Sequence, residues 1–233
     1  MDLNIIYSRL FAFFGPRGWW PGESSYEHFI GCILAQNTRW DRVVPVIEKM
    51  KQRDVLSPEK YLQLDSDDLA EILKGSGTYR IKAEYLQIAG SYMLSLGWDG
   101  TPESVTMETE LLRGQLLRLK GIGPETCDCI LLYVLERPVF VVDAYTRRIL
   151  SRHGLCGTKT KYMEIQELFH GVLSPDVEMF KEYHALLVEC AKRFCKSKPL
   201  CTDCPLFEGN GEVEIEHLFT AEGLRLQFVY VPE

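Results

Sequence analysis

The sequence predicts a mainly α-helical protein, and three observations carry that expectation. Apolar residues recur at helical spacing in one segment after another, Gly, Pro, Ser and Asp punctuate those segments, and β-branched runs are scarce. Ser24 or Ser25 caps a first helix running to about Met50, with Phe29, Ile33, Leu34 and Val43 among its apolar positions. Further helices are expected at about 58–64, 66–74, 80–96 and 108–119. The one strand-like run, Val139-Phe140-Val141-Val142, is short and leads directly into AYTRRILSRHG, a helix stopped by Gly154. Helices at about 163–173 and 175–194 follow, and the tail LRLQFVYVPE alternates weakly, as an extended segment would.

With 233 residues, 46% hydrophobic and 25% charged, the chain suits one large domain or two small interleaved ones, and disorder is excluded as its main state. No apolar run reaches the roughly 18–20 residues that span a bilayer, and the opening MDLNIIYSRLFAFFG has no cleavage signature. A cytoplasmic location is expected, associated with the nucleoid if the source is prokaryotic, with no membrane partner. Four of the eight cysteines fall between 190 and 204, which suits metal ligation in a reducing compartment better than a disulfide framework.

The net charge of −7 argues at first against a nucleic-acid partner. Its distribution matters more than its sum. Residues 147–161 hold five Lys or Arg and no acid, and residues 190–202 hold four more, whereas 208–222 hold five Glu and no base. A basic face on an acidic molecule and two ordinary solvated surfaces are both compatible with that pattern.

Leu119-Lys120-Gly121-Ile122-Gly123-Pro124-Glu125 lies between two helical runs. The glycines permit a tight hairpin with outward backbone N–H groups, and Pro124 suits the first position of the next helix. Such a turn can hold a phosphate oxygen, or simply join two helices. Twenty residues after Gly123 stands Asp143, in Val141-Val142-Asp143-Ala144-Tyr145-Thr146-Arg147-Arg148, compatible with a helix cap or with a catalytic carboxylate. Leu34-Ala35-Gln36-Asn37-Thr38, Gly77-Thr78-Tyr79-Arg80-Ile81-Lys82-Ala83 and Trp19-Trp20-Pro21 with Trp40 complete the motifs. Taken alone these are a polar helix face, a loop and core aromatics.

In order and spacing these motifs resemble the endonuclease III-like helix-hairpin-helix DNA glycosylases, over about residues 15–206. The resemblance implies a two-domain helix-hairpin-helix glycosylase fold with an iron-sulfur loop. A helical core domain would span 24–133, and a second helical domain would combine 1–23 with 134–207. Residues 208–233 form an extension of unassigned role. It places the catalytic aspartate on Asp143, the phosphate-gripping hairpin on Gly121, Ile122 and Gly123, a gap-filling glutamine on a helix at Gln36, and a wedge position on Thr78, where a larger apolar residue is usual. Bifunctional members carry a lysine two residues after the second hairpin glycine. Here Glu125 stands there, as in monofunctional branches that use water. Trp19, Trp20, Pro21 and Trp40 resemble the pocket of endonuclease III-type 3-methyladenine DNA glycosylases, whose aromatics sandwich a flipped alkylated base, a cationic ring that stacks well on aromatic faces.

Cys190, Cys195, Cys201 and Cys204 form a cluster dense enough to predict metal. It resembles the family's carboxy-terminal 4Fe-4S loop, with Cys190 substituting for a position that would fall on Asn210; zinc is the less favoured alternative. Lys196 and Lys198 of this loop are expected to face DNA phosphates. The protein is therefore expected to be a monomeric base-excision glycosylase acting on double-stranded DNA with a damaged base. Rival readings are a mismatch-specific or oxidised-base glycosylase, a lyase using Lys120, and a non-catalytic iron-sulfur DNA-binding module.

Overall fold

The computed structural model describes residues 1–18 and 22–207. Asp2 starts α1 (Leu3–Phe14) by accepting the Ile5 N–H at 2.9 Å, and Leu3, Ile6, Tyr7, Leu10 and Phe11 form its buried stripe. The sequence reading assigns no helix here, yet the cap and this i, i+3, i+4, i+7 spacing supply one.

The single helix expected from 24 to 50 is two. Ser24 accepts the Glu27 N–H and opens α2 (Ser25–Leu34), and α3 (Trp40–Gln52) follows after a five-residue break at 35–39. Asn37 lies at φ +50°, and the Lys82 ammonium takes the Leu34 carbonyl at 2.7 Å, so the helix cannot continue past Leu34. Gln36 consequently sits in a turn and not on a helix.

Helices α4 (Pro58–Tyr61) and α5 (Ser66–Ile72) pack against α6 (Tyr79–Ser95). A Cβ at Gly90 of α6 would lie 1.9 Å from the Tyr61 hydroxyl, so only glycine admits that ring. After α7 (Thr109–Leu116), the hairpin leads into α8 (Pro124–Cys129), which widens into a π turn at Ile130–Val134 packed on α2. Gly121 has φ +87°, and a Cβ there would strike the Tyr85 ring at 2.2 Å. Arg113 of α7 and Asp128 of α8 clasp the two hairpin helices through paired bonds of 2.7 and 3.0 Å, both side chains buried.

The remaining helices are α9 (Ala144–Arg152), α10 (Tyr162–Val172) and α11 (Val177–Arg193), and α11 packs on both α9 and α1. No strand occurs among the described residues, including the β-branched run before Asp143. That run is buried, but three of its backbone groups bond to side chains of α10 instead of to a second strand. His170 accepts the Phe140 N–H, Gln166 donates to the Phe140 carbonyl, and Tyr162 accepts the Val142 N–H. One continuous apolar cluster joins all these helices, and no described helix is long and apolar enough to cross a membrane. The tail LRLQFVYVPE lies outside the described residues.

Candidate active site

A cleft of about 840 Å³ opens between α2, α3 and α8 on one side and α9 and α11 on the other. That volume falls within the roughly 300–1,000 Å³ typical of small-molecule sites. It gathers Gln36 and Trp40, Glu125, Asp143 and Lys196 from four separate stretches of the sequence.

Asp143 caps α9 and faces the cleft at once. Its Oδ1 accepts the Thr146 N–H at 2.7 Å, and its Oδ2 lies 3.6 Å from His184 Nε2. The capping and catalytic readings are therefore not exclusive, since each uses a different oxygen. Burial alone would raise the Asp143 pKa, but His184 and the Thr146 amide outweigh it and hold the carboxyl below its ordinary value. Glu125 is moved the opposite way, by desolvation first and by the negative charge of Asp143 second. Two carboxyls in one cleft with pKa values pushed apart suit one ionised and one protonatable role.

Gln36 Nε2 donates to the Gly121 carbonyl at 2.9 Å and to Thr126 Oγ1 at 3.0 Å, tying the turn after α2 to the hairpin. Thr38 accepts from Lys82 at 2.6 Å and donates to the Ser76 carbonyl. Thr78 precedes α6 on the exposed side of this knot and does not line the cleft. Ile122 is buried, so only the backbone of the hairpin tip can meet a ligand. Gly123 begins α8 at φ −90°, and a Cβ there would meet nothing within 4 Å, so nothing inside the protein requires glycine at that position. Trp19, Trp20 and Pro21 lie outside the described residues.

The cysteine loop is bolted to α9. Arg148 donates to the Cys195 carbonyl at 2.6 Å, and Arg152 donates to Cys195 Sγ at 3.1 Å and to the Lys196 and Ser197 carbonyls. Arg147 likewise bonds the Thr160 carbonyl, so three of the five cations of 147–161 are engaged with protein backbone. Lys196 and Lys198 are exposed. Cys190, Cys195 and Cys204 are buried and Cys201 exposed, with Cys190 and Cys204 sulfurs 3.9 Å apart. Among the described residues, no three Cys, His, Asp or Glu side chains close around a single ion position.

Sequence reasoning missed His184 and Tyr133. His184 Nδ1 and the Tyr133 hydroxyl share a hydrogen bond of 2.6 Å inside the protein. The available signal was a histidine within the otherwise apolar run Tyr183–Val188, where a buried polar group needs a partner.

A hairpin between two clasped helices, followed by a half-buried aspartate at the mouth of a cleft, defines a class of DNA repair enzyme. Residues 30–175 match the HhH-GPD superfamily of base excision DNA repair proteins, and the chain belongs to that family as a base-excision DNA glycosylase. Among its relatives, a Methanocaldococcus jannaschii protein named "Putative DNA repair glycosylase MJ1434" is 43% identical over 205 residues, covering 87% of this chain and 93% of that one. Endonuclease III of Sulfolobus acidocaldarius is 27% identical over 181 residues, covering 77% and 78%. In fold, the chain is similar to Helicobacter pylori 3-methyladenine DNA glycosylase bound to 1,N6-ethenoadenine, with a TM-score of 0.71, 24% identity and coverage of 83% and 98%. An endonuclease III–DNA complex gives a TM-score of 0.72 at 18% identity, covering 87% and 91%.

Proposed function

We propose that the protein is a monofunctional DNA glycosylase that flips an alkylated purine of the 3-methyladenine type out of duplex DNA and hydrolyses its N-glycosidic bond. The observation that carries the reading is the pairing of an ionised Asp143 with an acid, Glu125, where a lyase carries lysine. As the bond breaks, positive charge develops on the deoxyribose, and the Asp143 carboxylate stabilises it and guides the attacking water. Glu125 has no amine with which to attack the sugar, so the abasic strand stays intact. A methylated purine is already cationic, which weakens its glycosidic bond and favours stacking on Trp40 at the cleft wall. The hairpin tip at Gly121 and Gly123 would hold a backbone phosphate on its N–H groups, with Lys196 and Lys198 on neighbouring phosphates.

Cys190, Cys195, Cys201 and Cys204 would hold a 4Fe-4S cluster. The donor set suits it in kind: four cysteine sulfurs, soft ligands, lie in the last turn of α11 and the loop that follows, with those of Cys190 and Cys204 3.9 Å apart. When bound, the cluster would cross-link the loop that positions Lys196 and take no part in the chemistry.

Incubation with a panel of duplexes, each holding one lesion, tests the reading. Release of a methylated purine with strand breakage only after alkali is the expected result. Breakage without alkali, or no excision of any alkylated purine, overturns it.

A further inference from the structure

We propose that Tyr133 and His184 form a positioning relay that aims the free oxygen of Asp143 at the reacting sugar. This rests on the reading of Asp143 as the reacting carboxylate. Three elements that are distant in sequence meet to build the relay: Tyr133 from the π turn behind the hairpin, His184 from the middle of α11, and Asp143 from the start of α9. His184 is 4% exposed and Tyr133 3%, so the imidazole is held from both sides and has little freedom to turn.

The two imidazole nitrogens point in different directions. Nδ1 meets the Tyr133 hydroxyl at 2.6 Å, and Nε2 meets Asp143 Oδ2 at 3.6 Å. Nε2 faces a carboxylate, which can only accept, so the ring presents an N–H there, while Nδ1 shares a hydrogen bond with the Tyr133 hydroxyl, whose proton burial retains. Oδ1 is already committed to the helix cap, which makes Oδ2 the oxygen with work left to do. At 3.6 Å the contact is longer than a made hydrogen bond. It orients and stabilises the charge without consuming the lone pairs that water and sugar need, and it can tighten when substrate closes the cleft.

Other groups also face Asp143. Glu125 and Cys129 of α8 and Cys32 of α2 line the same wall. Arg148, Lys192 and Lys196 stand across the cleft, and Arg39 with Asp41 lies at its α3 edge. The variants below leave all of these in place, so a change in pH profile reports on the relay.

The test is the single-turnover excision rate on saturating methylated duplex against pH, for wild type, His184→Ala, His184→Gln, Tyr133→Phe and Asp143→Asn, with melting temperature and duplex Kd measured on each. His184→Ala is expected to slow excision about a hundredfold with Kd changed by less than about threefold, as a misaimed group does. Removing the relay raises the pKa of Asp143, so the acid limb of the profile should move to higher pH. His184→Gln, whose amide can reach the Nε2 position, should recover most of the rate. Tyr133→Phe should lose about tenfold, with the limb moving the same way. If His184→Ala does not fold, Tyr133→Phe decides. Wild-type rates and an unmoved acid limb in His184→Ala or Tyr133→Phe, while Asp143→Asn is inactive, overturn the relay. So does His184→Gln failing to recover any rate. Asp143→Asn turning over at the wild-type rate would instead overturn the reading of the site itself.

Discussion

At the residue scale, the chemistry depends on side chains that serve two partners at once. Asp143 caps α9 with one oxygen and addresses the cleft with the other. Lys82, 1% exposed, donates to the Leu34 carbonyl, Thr38 Oγ1 and the Ser76 carbonyl, ending α2 and pinning the loop before α6. Its desolvation lowers its pKa from 10.5 to about 8. Below pH 8 both folded and unfolded chains hold the proton, and the desolvation cost is fully present. Between pH 8 and 10.5 the unfolded chain holds more protons, so stability contributed by this residue rises with pH. Denaturant unfolding should therefore show wild type gaining up to about 3 kcal/mol relative to Lys82→Met from pH 7 to 10. A constant difference would mean that Lys82 titrates normally. Gln36, Trp40, Glu125 and Asp143 were legible in the sequence because they sit in spaced motifs. His184 and Tyr133 were not, because 51 residues separate them and only folding brings them together.

At the element scale, the hairpin is made rigid by what lies under it. Arg113 and Asp128 are buried and bonded twice, and Gln166 of α10 donates to Asp128 Oδ2 at 2.8 Å. Asp128→Ala leaves a guanidinium buried without its counter-charge, and should cost about 3–5 kcal/mol in chemical denaturation. A loss below about 1 kcal/mol would show that the clasp does not hold α7 and α8 together. Most helices were legible from apolar period and punctuation. The break at 35–39 was not, because it depends on Lys82 taking the Leu34 carbonyl from 48 residues away. The run before Asp143 looked like a strand because β-branched residues suit any extended, buried backbone. Here its partners are His170, Gln166 and Tyr162 instead of a second strand.

At the scale of the whole molecule, a net charge of −7 coexists with an exposed cationic loop beside the cleft. Duplex binding should weaken steeply with salt, and replacing Lys196 and Lys198 together by Gln should reduce the slope of log K against log[salt] by about 2. An unchanged slope would mean that neither meets a phosphate. Metal analysis of the purified protein should find about four irons per chain, and stoichiometric zinc without iron would contradict the cluster. The central claim is hydrolysis directed by Asp143 with no covalent intermediate, and its most direct measurement is borohydride trapping on a duplex with a single methylated purine, run beside excision by Asp143→Asn. The account predicts no trapped adduct with wild type, full release of the base, and loss of most turnover in Asp143→Asn with duplex binding retained. A covalent enzyme–DNA adduct, or Asp143→Asn excising at the wild-type rate, would contradict it.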